Sequence, residues 1–72
     1  MKAYYVEYRM YQSDSAKGIM VIAANKADAY DKAVYEIIPE TESFSPYSAW
    51  VASVTYNNGN YKVFNNFEGN PY

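Results

Sequence analysis

Apolar and polar residues alternate from Lys2 to Gln12, with Tyr4, Val6, Tyr8 and Met10 on one side and Tyr5, Glu7, Arg9 and Tyr11 on the other. A period of two, carried by aromatic and β-branched residues that suit a pleated surface, predicts a strand. Ser13 to Gly18 collects turn formers, and Ile19 to Ala24 predicts a second strand, so the two make a hairpin. The period then changes. Tyr30, Ala33, Val34, Ile37 and Ile38 recur at i, i+3, i+4, i+7 and i+8, which is one stripe of a helix, and Asp28, Lys32 and Glu36 lie away from it. Asn25 is placed to cap that helix by accepting from a first-turn amide. Pro39, which has no amide to donate, is expected to end it and leave Glu40 to Tyr47 as a loop.

Alternation returns from Ser48 to Tyr56, with Trp50, Ala52, Val54 and Tyr56 opposed to Ala49, Val51, Ser53 and Thr55. The following Asn57-Asn58-Gly59-Asn60 predicts a tight hairpin, because Asn-Gly tolerates the two positive φ angles of a type I′ turn. With Asn58 and Gly59 as turn residues, Tyr56 would face Tyr61, Val54 would face Val63 and Trp50 would face Phe67. Thr55 with Lys62, Ser53 with Phe64 and Val51 with Asn66 would then share the opposite face. The order strand, strand, helix, strand, strand predicts an α+β fold: a two-layer ββαββ sandwich, one helix on a four-stranded, mostly antiparallel sheet. Strand order 2-1-3-4 is favoured over 2-1-4-3. Residues from about 68 to 72 show no periodicity and read as a loose C-terminal tail of a single domain spanning 1–72.

Composition narrows the chemistry. Seventy-two residues hold one core, half of them are hydrophobic, and ten tyrosines supply much of the large apolar surface. The absence of cysteine excludes disulfides and thiolate zinc sites. With no histidine either, the commonest general base and the most easily activated nucleophile are both missing, so a non-enzymatic protein is expected. The carboxylates of the Asp14 turn and of Glu40 to Glu42 are too sparse for an oxygen-ligand ion, and no cofactor or metal is expected. The N-terminal residues lack a leader pattern and no stretch is long and apolar enough for a membrane span, from which a cytoplasmic protein is expected.

A single helix covers one side of such a sheet. Tyr4, Tyr8, Tyr30, Trp50, Tyr56, Tyr61 and Val63 are assigned to the covered layer. Tyr5, Arg9, Tyr11, Val51, Lys62 and Phe64 are assigned to the open face, joined by either Ile19 and Val21 or Met20 and Ile22. An open face rich in tyrosine and poor in lysine points to a protein partner, either another protein or a second copy in a homodimer. Two alternatives compete with it: tyrosine and threonine placed on a sheet surface simply for their β propensity, and single-stranded nucleic acid stacking on the sheet aromatics. A net charge of -2 disfavours nucleic acid, because phosphate neutralisation supplies most of such affinity.

Residues Ile19 to Ala33, a strand running into an Asn cap and an alanine-rich helix, resemble a pattern common in very small proteins of phages and conjugative transposons. The Ser45–Tyr56 segment SPYSAWVASVTY and the hairpin NNGNYKVFN look like accessory proteins of Gram-positive mobile elements. That resemblance implies a bacterial, cytoplasmic protein that acts on host or element proteins, inhibition of a host defence enzyme being one such role. It carries over no functional residue.

Overall fold

A computed structural model describes residues 1–64. Four strands, β1 (Lys2–Arg9), β2 (Lys17–Ala23), β3 (Ser48–Thr55) and β4 (Tyr61–Val63), form one antiparallel sheet in the order β2-β1-β3-β4, with one helical run between β2 and β3. This is the expected α+β sandwich, in the favoured strand order. The tail expected over 68–72, and the Trp50–Phe67 and Val51–Asn66 pairs, lie outside the described residues.

The helical run starts where the cap was expected. Asn25 is extended, and its Oδ1 accepts from the Asp28 amide at 2.8 Å, while Asp28 Oδ2 accepts from the Ala24 amide at 3.3 Å. The run does not stop at Pro39. It proceeds as α-helix Lys26–Lys32, a π-helical turn Ala33–Ile37 and α-helix Ile38–Glu42. In an unbroken α-helix the Pro39 ring would press on the carbonyl four residues back; the wider turn just before it makes room and absorbs the missing donor. The extra residue also rotates the apolar stripe. Ala29, Ala33, Val34 and Ile38 are buried, whereas Ile37, expected on the stripe, turns outward. Ser43, in the left-handed region at φ 77, closes the run by donating its amide to the Pro39 carbonyl at 2.9 Å.

Two inserted residues set the faces of the second hairpin, and both differ from strict alternation. Pairing between β1 and β3 jumps from Tyr5–Ser53 to Val6–Val51, so Ala52 is a β-bulge. Val51 and Val54, three apart, thereby both face the helix, opposite Val6 and Tyr4. The 57–60 turn is not type I′. Gly59 alone takes a positive φ, at 90; its amide bonds the Tyr56 carbonyl at 3.0 Å, and the Tyr56 amide bonds the Asn60 carbonyl at 2.7 Å. That is a three-residue loop with a glycine bulge. It pairs Thr55 with Tyr61, Val54 with Lys62 and Ser53 with Val63, one residue away from the expected register. A slip of one exchanges the faces of a whole strand.

Candidate interaction face

Opposed residues of an antiparallel ladder share a face, so the register alone assigns the side of the sheet away from the helix. From β2 come Gly18, Met20 and Ile22, and from β1 Ala3, Tyr5, Glu7 and Arg9; Ser48, Trp50, Ser53 and Thr55 of β3 join Tyr61 and Val63 of β4. Of the residues assigned here from sequence, Tyr5 and Arg9 are in place, and the open choice on β2 resolves to Met20 and Ile22. Val51 is not on this face. The Ala52 bulge turns it into the core, where it is 1% exposed. Lys62 and Phe64 are also on the helix side, because the glycine bulge exchanged the faces of β4; the Phe64 ring lies 4.2 Å from Lys26 Nζ and 5.8 Å from Lys62 Nζ. Tyr11 lies past the end of β1 and packs on Phe44, with ring centroids 5.7 Å apart. Conversely Trp50, Tyr61 and Val63, assigned to the covered layer, are on the open face.

Trp50 anchors the centre. Its Nε1 donates to Glu7 Oε1 at 3.0 Å, directly across the ladder, and the Arg9 guanidinium sits 5.4 Å from its ring centroid. Only 6% of it is exposed. The acid and the base cancel, so the described residues of the face carry no net charge. Beside this cluster the same face carries exposed apolar side chains: Met20 at 56%, Ile22 at 58%, Tyr61 at 66% and Val63 at 55% exposure. Tyr5 leans sideways over Gly18, its ring lying where a Cβ on that glycine would be. An aromatic laid over a strand glycine keeps the sheet surface filled.

The other polar cluster is on the helix side. Tyr8 and Lys17 are ladder partners, and both donate to Glu42 Oε2, at 3.2 and 3.0 Å. The Lys17 hydrogen bond holds the Glu42 carboxyl below its usual range, and the same contact raises Lys17; burial, then Glu42, raises the Tyr8 phenol. This cluster fastens the end of the helical run to the first hairpin. Among the described residues no three acidic side chains converge where a metal ion could sit, and no helix is long and apolar enough to cross a membrane.

The signals for the missed assignments were present. Val51 and Val54 are the β-branched partners that Val6 and Tyr4 need, and a spacing of three on one face requires a bulge between them. Tyr56-Asn57-Asn58-Gly59 fits a type I turn with a left-handed glycine as well as it fits type I′. Comparison of the chain with protein-family models, curated proteins and solved structures finds no match in any of the three.

Proposed function

We propose that this chain is a non-enzymatic interaction module that docks a partner protein on the open face of its sheet. The observation that carries the proposal is the group of exposed apolar side chains, Met20, Ile22, Tyr61 and Val63, on the same face as the Trp50–Glu7–Arg9 cluster. Exposed methionine and tyrosine beside a part-exposed arginine on a neutral surface are residue types enriched in protein-binding cores. Such a face fits a flat apolar patch on another folded protein. The resemblance of Ile19–Ala33 to accessory proteins of mobile elements supports a bacterial cytoplasmic setting and a host or element protein as the partner.

The test is capture from the native cell with Tyr61→Ser and Val63→Ser variants. Both change exposed positions on an edge strand, so the fold should persist and a specific partner should be lost. Retention of that partner by the doubly substituted protein contradicts the proposal. Binding should also change little with salt, because Glu7 and Arg9 cancel. A steep fall in affinity with salt, together with quenching of Trp or Tyr emission by a single-stranded oligonucleotide, would transfer the function to nucleic acid.

A further inference from the structure

The outer edge of β2 is a second surface, and its reading does not depend on the open face. The β1 ladder fixes which backbone groups point outward. Arg9 accepts from the Tyr47 amide on the β3 side, so the odd residues of β1 bond toward β3 and the even residues toward β2. Their β2 partners are Lys17, Ile19, Val21 and Ala23. The N–H and C=O groups of Gly18, Met20 and Ile22 therefore face away from the sheet, and two contacts agree: Lys32 Nζ reaches the Ile22 carbonyl at 3.3 Å, and Asp28 takes the Ala24 amide. Among the described residues no strand lies beyond β2.

Edge strands are ordinarily blunted by brevity, proline, a bulge or a central charge. β4 is three residues long with Lys62 at its middle. β2 has seven residues, KGIMVIA, regular pairing throughout, no proline, and its one charge at the first position.

We propose that β2 pairs antiparallel with β2 of a second copy of this chain, about a two-fold axis through Met20. The outward groups are palindromic about that residue: Met20 meets the partner's Met20, Gly18 meets the partner's Ile22, and all seven residues overlap. No like charges meet, since Lys17 falls opposite the partner's Ala23. The seam places Met20 and Ile22 of both copies side by side, so two four-stranded sheets become one of eight strands with a continuous open face. The Ile22 carbonyl exchanges its contact with the Lys32 side chain for a backbone amide. A self-complementary edge of this kind closes at two copies.

Sedimentation equilibrium of the full chain across the micromolar range should show a concentration-dependent dimer. Met20→Pro removes an amide that points away from the sheet, so the monomer should keep its circular dichroism while dimerisation weakens roughly tenfold or more. Met20→Lys should act in the same direction should the proline variant fail to fold, and Val63→Ser, at the opposite sheet edge, should leave the dimer intact. In the wild type, exchange of the Met20 amide with deuterium should slow as protein concentration rises. A chain that is monomeric throughout overturns the proposal, as does a dimer lost in Val63→Ser but kept in both Met20 variants, or a Met20 amide whose exchange ignores concentration.

Discussion

Gly18 and Tyr5 show how a single residue shapes the candidate face. Gly18 is not in a left-handed conformation, so backbone geometry does not demand glycine; the Tyr5 ring does, because it occupies the space a Cβ would take. Gly18→Ala should therefore displace the part-exposed Tyr5 ring from its rotamer and lower stability by about 0.5–1.5 kcal/mol, as read by urea denaturation. In a Tyr5→Ala background the same substitution should cost much less. Equal costs in the two backgrounds would mean that the ring does not set the requirement. Trp50 makes the complementary point. From alternation it reads as a core residue, and it is as buried as one, but it lies on the open side, where it contacts Glu7 and Arg9. Burial was legible in its type; the face was not, because a bulge two residues away decides it.

At the scale of elements, local chemistry places the helix cap and the two hairpins, but it does not fix the type of the 57–60 turn. The Asn25 cap and the strands follow from residues within a few positions of one another, whereas the β1–β3 pairing joins residues far apart in the chain. The end of the helical run follows from a competition between a proline and the core. Pro39 opposes continuation, Ile38 is 1% exposed when the run continues, and the π turn lets both be satisfied. Ser43 then takes a left-handed conformation that a side chain disfavours. Ser43→Gly should accordingly raise stability by about 0.5–1 kcal/mol in urea denaturation, and a loss of stability would contradict this account of the cap.

The Glu42 contacts give the run's docking a pH signature. Because the Glu42 pKa is lowered in the fold, its contribution is complete above the ordinary value of 4.5 and is lost as pH falls through the lower folded value. Lys17 and Tyr8, both raised, contribute in full below their ordinary values and lose that contribution at alkaline pH. Between pH 6 and 3 the wild type should lose more of its urea midpoint than Lys17→Met, which lacks the ammonium that lowers Glu42. Parallel acid curves for the two proteins would remove this cluster from the stability of the fold.

For the whole molecule, the pattern of elements was enough to give the architecture, since one helix on a four-stranded antiparallel sheet leaves few alternatives. The same pattern was not enough to give the candidate site. Two single-residue insertions, Ala52 and Gly59, moved Val51, Lys62 and Phe64 to the helix side and brought Trp50, Tyr61 and Val63 outward. Alternation carries no record of a bulge; only matching the β-branched residues of β3 against Tyr4 and Val6 would reveal the first. The outcome is nonetheless a sheet with apolar side chains on both sides and a helix on one. The most direct measurement of what that second side does is site-specific photo-cross-linking in the native cell, with a benzophenone side chain at position 61 on the open face or at position 35 on the exposed side of the helix. A protein adduct from position 61 and none from position 35 is the expected result. Adducts from position 35 alone would contradict the central claim.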